Sequence, residues 1–214
     1  MITQSQIFTG FQAVVDVIAE NKDYLTELDA VIGDGDHGIN LDRGFQQVKT
    51  QLPRLQSQDI GMIFQTVSMT LISKVGGASG PLYGTMFLRA SLVTTDKSEL
   101  DGADMVHIFQ AFVDGVVTRG KATLGDKTML DTLQPAAETI KSAIASGIDL
   151  PEALQQALNA AHAGMNQTLM LVARKGRASY LGQRSQNHLD PGAVSTYLIL
   201  AALFQDYIKS ISAP

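Results

Sequence analysis

Three aspartates in a glycine-bearing segment near the N-terminus are the residues of this sequence best suited to chemistry. Asp29, Asp34 and Asp36 fall within eight positions, and glycines lie between them. At neutral pH such carboxylates repel one another unless water surrounds them or a cation shares them. Mg²⁺ prefers hard oxygen ligands and leaves positions open for substrate phosphates, so the spacing predicts a magnesium site. The simpler alternative is a solvated turn in which Asp34 or Asp36 only caps the next helix. We expect His37, beside them, to orient its neighbours rather than to attack a substrate.

A run of small residues is the second candidate for ligand binding. Residues 76–80 read Gly-Gly-Ala-Ser-Gly, and a helix is predicted to begin near Pro81. Backbone N–H groups of small residues can converge on an anion, and a helix N-terminus adds partial positive charge. A glycine hinge between tightly packed helices would have the same sequence. The chain has no Walker motif and no strand followed by G-x-G-x-x-G, which excludes P-loop and Rossmann sites.

A third polar segment, residues 120–131, is a turn followed by a new helix. Lys and Thr side chains there can meet phosphate oxygens, and Met129 offers a polarisable apolar surface for a nucleotide base. The simpler alternative is a core methionine beside exposed lysines.

A fourth segment is the most basic stretch of the chain. Four of its sixteen Lys and Arg residues lie within eleven positions, at 174, 175, 177 and 184, and Asp-Pro-Gly follows at 190–192. A guanidinium fits phosphate geometry, and a mobile one can stabilise the charge on a transferring phosphoryl group. A solvated basic loop would explain the charges, but not the glycines or the capped helix beside them.

The composition limits the functions that the chain can have. A net charge of -5 and a pI near 5.3 disfavour non-specific nucleic-acid binding. The absence of cysteine excludes disulfides, thiolate metal sites and cysteine nucleophiles, and it fits a reducing cytoplasm. The four histidines lack metal-ligand spacing, and no Ser-His-Asp order or G-x-S-x-G elbow is present, so covalent hydrolase chemistry has no support.

The elements that must position these segments are predicted to be helices. Apolar residues recur with helical spacing almost throughout, and a period-two pattern is visible only weakly, at residues 91–95. N-cap residues precede several apolar stripes: Thr3, Asp59, Asp149 and Asp190. We predict an all-α chain of about eight helices, forming a single domain over residues 1–214. In an antiparallel bundle the four polar segments can meet at one end.

No targeting or membrane segment is expected. Residues 1–20 lack an early basic region and a continuous apolar run, and the most apolar stretch, residues 197–204, is far shorter than a bilayer span. The sequence therefore predicts a soluble cytoplasmic protein with no membrane partner.

Together, the four segments resemble a known family, the nucleotide-binding L domains of dihydroxyacetone kinases. The motifs that carry the resemblance occur in the family's order over nearly the whole chain: residues 33–38 (GDGDHG), 76–82 (GGASGPL), 125–129 (GDKTM), 173–182 (ARKGRASYLG) and 190–192 (DPG). The chain is most similar to the free-standing ADP-binding L subunits of the phosphoenolpyruvate-dependent enzyme. The acidic loop alone also resembles nucleotide domains of fatty-acid kinases, which tend to have Thr where this chain has His37.

The resemblance implies an eight-helix antiparallel barrel with the nucleotide held by loops at one end. It implies that Asp29, Asp34 and Asp36 bind two Mg²⁺ ions that bridge the diphosphate, and that Arg177 is catalytic. The residues that it places around ADP are His37, Gly38, Ile39, Asn40, Ala78, Ser79, Gly120, Met129, Arg177, Asp190, Pro191 and Gly192.

The resemblance also implies a phosphotransferase subunit of glycerol metabolism that is active only with partner subunits. Tightly bound ADP would accept phosphate from a phosphohistidine on a carrier M subunit and pass it to dihydroxyacetone on a K subunit. Two alternatives stay open: the L module of an ATP-dependent kinase, which would exchange its nucleotide, and a nucleotide-sensing helical adaptor. The oligomeric state, including a homodimer, also stays open.

Overall fold

The computed structural model describes residues 1–212, and side chains up to residue 209. Nine α-helices occur in this part of the chain: α1 Gln4–Glu20, α2 Lys22–Ile32, α3 His37–Gln51, α4 Ile60–Lys74, α5 Ser79–Val93, α6 Gly102–Gly120, α7 Leu130–Ala145, α8 Leu150–Gln167 and α9 Pro191–Ser212. Three 3₁₀ helices lie between them: Leu52–Arg54, Thr168–Met170 and Arg177–Ser185. Two short strands, β1 Ile2–Thr3 and β2 Glu99–Leu100, pair antiparallel.

Local capping explains where several helices begin. The Thr3 hydroxyl accepts from the Gln6 amide, and the Gln6 side chain accepts from the Thr3 amide, which completes the capping box of α1. Asp59 and Asp149 accept in the same way from backbone amides at the starts of α4 and α8. The N-caps predicted from the sequence at these three residues are confirmed.

The helices close into a ring. α1 packs against α3 and α9, and from α3 to α9 each helix packs against the next one in the chain. α2 is set off from α1 by a break at Asn21 and packs on α3 and α9 near one end of the ring. The predicted all-α, eight-helix antiparallel barrel is therefore confirmed, with α2 as an additional ninth helix. Because successive helices alternate in direction, the loops before α3, α5, α7 and α9 lie at the same end.

A cluster of aromatic rings fills the centre of the barrel. Phe11 of α1 packs edge-on against Phe64 and Phe87, and Phe112 packs edge-on against the same two rings. All four rings are fully buried. Contacts of this kind add about 0.5–1.5 kcal/mol per pair beyond the burial of apolar area. This core fixes the helix axes and therefore the positions of the helix ends.

The weak strand expectation at residues 91–95 is wrong. Residues 91–93 complete α5, and Thr94 ends the helix with its hydroxyl donating to the Ala90 carbonyl. The run of Ser, Val and Thr is compatible with either structure, and packing of α5 against α4 and α6 decides for the helix. Over residues 1–212, no helix is both long and apolar enough to cross a membrane.

Candidate functional site

Four helix N-termini converge on one cavity of about 550 Å³, a volume typical of small-molecule sites. The first turns of α3, α5 and α9, and the residues that lead into α7, all contribute to its wall. The first N–H groups of a helix have no partner within the helix, and its N-terminus carries partial positive charge. The arrangement suits an anionic ligand, although the chain as a whole is acidic.

The three predicted metal ligands line this cavity. Asp29, Asp34 and Asp36 offer carboxylate oxygens that all lie within 4.8 Å of one another. Asp29 extends from the last turn of α2 and is nearly buried, whereas the other two side chains are exposed. Oxygen donors in a cluster of three negative charges match the requirements of Mg²⁺.

Asp29 also forms the N-terminal cap of α3. Its Oδ2 accepts from the backbone amides of Asp36 at 2.9 Å and His37 at 3.2 Å. Asp36 makes no side-chain capping bond. The alternative in which Asp34 or Asp36 caps α3 is therefore wrong, because Asp29 accepts the capping bonds, and the Asp34 and Asp36 carboxylates face the cavity.

Gly33 makes room for the Asp29 carboxylate. A Cβ built at Gly33 would lie well inside van der Waals distance of Asp29 Oδ1 and Cγ. Any other residue would displace the carboxylate from its position at the start of α3. This steric requirement connects the glycine of the acidic loop directly to the geometry of the three carboxylates.

His37 is held between two hydroxyls. Its Nε2 lies 2.8 Å from Ser195 Oγ, and its Nδ1 lies 3.0 Å from Ser79 Oγ. Burial lowers the pKa of His37, against the opposing effect of the Asp29 and Asp36 charges, so the ring is neutral at pH 7. With both nitrogens engaged, His37 connects the first turns of α3, α5 and α9 and positions Ser79 at the cavity. Its expected orienting role agrees with this geometry.

Tyr83 extends the same network into the barrel. Its hydroxyl lies 2.7 Å from Ser195 Oγ and 2.9 Å from Thr196 Oγ1, and it also reaches the Gly192 carbonyl. Burial raises the pKa of Tyr83, so the phenol stays protonated. The start of α9 is thereby joined to α5 beneath the floor of the cavity.

The small-residue run before α5 has features of both predicted alternatives, a site for an anion and a glycine hinge between packed helices. A Cβ on Gly80 would overlap the Val75 carbonyl. This position therefore requires glycine for close packing, as the hinge alternative predicts. Gly77 has a φ of 64° and open space on its Cβ side. Ala78 and Ser79 line the cavity beside it. The run therefore packs α5 closely while leaving backbone exposed to a ligand.

The loop before α7 wraps around a buried carboxylate. Asp131 accepts from the backbone amides of Gly125 at 2.5 Å and Thr128 at 2.7 Å. Thr128 and the buried Met129 line the cavity. The expectation of exposed lysines is wrong for Lys127, which is 1% exposed and donates to two backbone carbonyls.

The basic segment places one guanidinium at the acidic loop. Arg177 Nη2 lies 2.9 Å from Asp34 Oδ2, although the Arg177 side chain is 68% exposed. An ion pair this exposed contributes only about 0–1 kcal/mol, so the guanidinium is free to exchange partners. Lys175 also lines the cavity.

Asp190 begins α9 as predicted, with Oδ2 accepting from the Ala193 amide at 2.7 Å. Burial raises the pKa of Asp190 to about 7, and the neighbouring Lys127 ammonium opposes that rise. A largely desolvated carboxylate of this kind is typical of ligand sites.

The structure brings most of the predicted nucleotide-binding residues together. Those at the cavity are His37, Ala78, Ser79, Gly120, Met129, Arg177, Asp190, Pro191 and Gly192. Gly38, Ile39 and Asn40 do not line it. Gly38 packs against the Lys22 carbonyl, Ile39 is half exposed, and Asn40 accepts from Arg43 Nη2 behind the small-residue run.

Sequence reasoning missed several cavity residues and the network beneath them. The missed residues are Leu82, Tyr83, Val116, Arg119 and Ser195. Lys127 and Thr128 belong to residues 120–131, where Lys and Thr were predicted to meet phosphate. Both line the cavity, but the Lys127 ammonium donates to two backbone carbonyls. Tyr83 and Ser195 lie on ordinary helical stripes, where nothing local distinguishes them from core residues.

Comparison with known proteins shows the family to which the chain is similar. The family model described as DAK2 domain matches residues 31–205. The chain is 42% identical over 202 residues to the PEP-dependent dihydroxyacetone kinase, ADP-binding subunit DhaL, of Escherichia coli strain K12, covering 94% of this chain and 96% of that protein. It is 41% identical over 188 residues to the PTS-dependent dihydroxyacetone kinase, ADP-binding subunit DhaL, of Lactococcus lactis, covering 88% and 90% of the two chains.

Solved structures give the same fold. The dihydroxyacetone kinase of C. freundii in its native form superposes with a TM-score of 0.73 at 24% identity. The same kinase in complex with AMP-PNP and Mg²⁺ superposes with a TM-score of 0.70 at 25% identity. Each comparison covers 94% of this chain but only 34% of the kinase, so this chain spans about a third of that protein.

Proposed function

This chain belongs to the DAK2 domain family, and from that premise we propose that it is the ADP-binding L subunit of a phosphoenolpyruvate-dependent dihydroxyacetone kinase. One structural observation carries the proposal: three clustered carboxylates and the N-termini of four helices face a single cavity. Carboxylates alone would select a cation and helix N-termini alone an anion. Their combination selects a metal-bound diphosphate.

We assign Asp29, Asp34 and Asp36 as the ligands of two Mg²⁺ ions. The donor set supports the assignment, since hard oxygens lie within 4.8 Å of one another and their charges lack sufficient cationic partners in the described structure. Bound there, Mg²⁺ would neutralise the diphosphate and polarise its terminal phosphoryl group. The count of two follows from the family resemblance, and a metal analysis of the purified complex tests it.

The protein's own groups supply the remaining contacts in this proposal. Ser79 and the amides at the start of α5 hold phosphate oxygens, while Met129 and Gly120 border the place for the base. Arg177 leaves Asp34 and stabilises the charge on the phosphoryl group in transit. In this proposal Ser79 holds phosphate rather than attacking it, and the acceptor hydroxyl comes from dihydroxyacetone.

Two successive phosphoryl transfers, first to the bound ADP and then from it, explain why the site would retain ADP. In the proposed cycle a phosphohistidine of the M subunit gives its phosphoryl group to the β-phosphate of ADP, and histidine leaves. The terminal phosphoryl group then passes to a hydroxyl of dihydroxyacetone on the K subunit, which regenerates ADP. The names of the E. coli and L. lactis relatives support this assignment, and the absence of cysteine supports a cytoplasmic place for it.

An ATP-dependent kinase module is the second candidate. It is favoured by the similarity to the C. freundii kinase bound to AMP-PNP and Mg²⁺. Identity of 42% to the ADP-binding subunit against 25% to that kinase favours the first assignment. Nucleotide exchange separates the two mechanisms.

The test follows one bound nucleotide through transfer. The chain is loaded with radiolabelled ADP and Mg²⁺, passed through gel filtration, and mixed with the K subunit, dihydroxyacetone and phosphorylated M subunit. We expect ADP to co-elute and to persist while product forms over many turnovers. Loss of ADP on the column, with turnover restored only by free ATP, would establish the kinase module instead. Absence of nucleotide binding under all conditions would exclude both.

A further inference from the structure

One buried charge has no place in the proposed reaction. Lys127 is 1% exposed, and its ammonium donates to the backbone carbonyls of Thr168 and His188. Lysine is almost never fully buried unless it is paired, because an ammonium loses its hydration on burial. Here the direct partners are neutral carbonyls rather than a carboxylate. An apolar side chain at this position would avoid the cost of burial, so fold stability alone does not account for the lysine.

The backbone at Lys127 adds to this cost. Its φ is 61°, in the left-handed region that residues with a side chain rarely adopt. Such a conformation persists only where the surroundings enforce it. The turn is enforced by Asp131, which accepts from the amide of Thr128, the next residue in the chain. The loop therefore directs the Lys127 side chain inward.

The two carbonyls that bind the ammonium belong to two chain segments that meet at Asp190, and neither residue lines the cavity itself. Thr168 follows α8, and its hydroxyl accepts from the Asp190 amide at 3.1 Å. His188 lies two residues before Asp190, just as Lys127 lies two residues before Met129. The loop that bears Met129 and the segment that bears Asp190 also meet directly, since a Cβ on Gly192 would lie 3.7 Å from Met129.

The charge of Lys127 acts on the same region. Its ammonium opposes the burial effect that raises the pKa of Asp190, and both Asp190 and Asp131 act electrostatically on Lys127. In its ionised form the Asp190 carboxyl, which lines the cavity, would repel an anionic ligand. The positive charge of Lys127, which acts on Asp190, reduces that repulsion.

We propose that Lys127 is a positioning residue of the nucleotide site, whose ammonium holds the loop bearing Met129 against the segment bearing Asp190. Without it, the two segments lose this link and the cavity loses its shape for the nucleotide. The inference rests on the proposed function, because it takes ADP with Mg²⁺ as the ligand.

The absence of cysteine from the chain permits a direct test of the ammonium. Lys127→Cys is unfolded, alkylated with 2-bromoethylamine and refolded, which gives a side chain of lysine's length and charge. Alkylation with 1-bromopropane gives a neutral side chain of similar length. Wild-type chain carried through the same treatment is the control for refolding. ADP affinity in MgCl₂ is measured by calorimetry at a temperature where every form is folded.

We expect the propyl form and Lys127→Met to bind ADP at least tenfold more weakly than wild type, and the aminoethyl form to return to within threefold. A core variant, Leu154→Ala, and a remote lysine variant, Lys97→Met, serve as matched controls. Leu154 is fully buried in α8, and Lys97 pairs with Asp104 away from the cavity. Neither control should change ADP affinity by more than threefold, even where the melting temperature falls as far as in Lys127→Met.

Three results would overturn the proposal. One is ADP affinity within threefold of wild type in the neutral forms. Another is equal recovery by the propyl and aminoethyl forms, which would assign the effect to packing of the stem. The third is folding of the aminoethyl form alone, which would make the ammonium a requirement of the fold. Failure of wild-type protein to bind ADP would instead refute the proposed function.

Discussion

Replacement of Asp34 by alanine tests the metal assignment with little disturbance of the fold. Asp34 is exposed, and its ion pair is with the exposed Arg177. Loss of such a pair costs about 0–1 kcal/mol of folding free energy. Loss of a partner outside the coordination shell already lowers metal affinity about 10- to 100-fold, so loss of a direct ligand should reach about 100-fold. The variant should therefore fold normally and bind ADP with Mg²⁺ poorly.

The ligand-induced rise in melting temperature converts this into a measurable quantity. At a ligand concentration 100 times the Kd, wild-type protein gains about 2.7 kcal/mol, whereas a 100-fold weaker variant gains only about 0.4 kcal/mol. For a chain of this size about 1 kcal/mol corresponds to about 2–4 °C. The rise should thus fall from about 5–11 °C in wild type to about 1–2 °C in Asp34→Ala.

The assay is thermal unfolding with and without ADP and MgCl₂, supported by calorimetric titration. Asp16→Ala is the matched control, because Asp16 forms a comparably exposed pair with Lys49 away from the cavity. It should keep the full wild-type rise. A wild-type rise in Asp34→Ala, with unchanged affinity by titration, would refute the assignment of Asp34 as a metal ligand.

Three further predictions concern the arginine, the glycine and the aspartate of the site. Arg177→Ala should bind ADP within about threefold of wild type but transfer phosphate about 10²- to 10³-fold more slowly in single-turnover experiments, because its effect is confined to the transition state. Arg184→Ala, from the same basic segment, should transfer normally. Gly33→Ala should weaken ADP binding at least tenfold in calorimetry, since its Cβ collides with the carboxylate behind it, whereas Gly147→Ala, at a remote left-handed position with open space, should cost only about 1 kcal/mol of stability in denaturant unfolding. Burial raises the pKa of Asp190 from 3.8 to about 7, so its native carboxyl binds a proton more tightly than in the unfolded chain. Its contribution to stability is present below about pH 4 and is lost between about pH 4 and pH 7. Urea unfolding without ligand should show that decline in wild type and a smaller one in Asp190→Asn.

Each of these predictions has a contradicting result. Equal losses of binding and transfer in Arg177→Ala would assign the guanidinium to ground-state binding. Normal ADP affinity in Gly33→Ala would show that the position of the carboxylate behind it is unimportant. Identical pH profiles for wild type and Asp190→Asn would mean that Asp190 titrates as it does in the unfolded chain.

Local sequence signals predicted most of the fold correctly. A capping residue followed by an apolar stripe, as at Thr3, Asp59 and Asp149, depends on interactions within one turn and can be read from a short segment. Asp190 and Pro191 are a further instance, where the N-cap and the first helical residue are neighbours in the chain. Local chemistry does not decide residues 91–95, where the same side chains suit a strand or a helix end.

The composition of the site was also visible in the sequence, because its residues cluster in four loops that an antiparallel bundle brings together. What the sequence did not reveal depends on contacts between distant residues. Asp29 caps a helix that begins eight positions later, and Lys127 bonds carbonyls 41 and 61 positions away. The family resemblance placed Asn40 beside ADP, yet its side chain accepts from Arg43 Nη2 and does not line the cavity. No local pattern encodes such directions, because neighbouring helices set them.

The central claim is that the three carboxylates bind a metal that in turn binds the diphosphate. The most direct measurement is an anomalous difference map from crystals grown with ADP and Mn²⁺, which replaces Mg²⁺ and identifies the metal unambiguously. We predict anomalous peaks within coordination distance of Asp29, Asp34 and Asp36, with the diphosphate between them and Ser79 and the base beside Met129. Metal peaks or diphosphate density outside this cavity, with the three carboxylates free of metal, would contradict the claim.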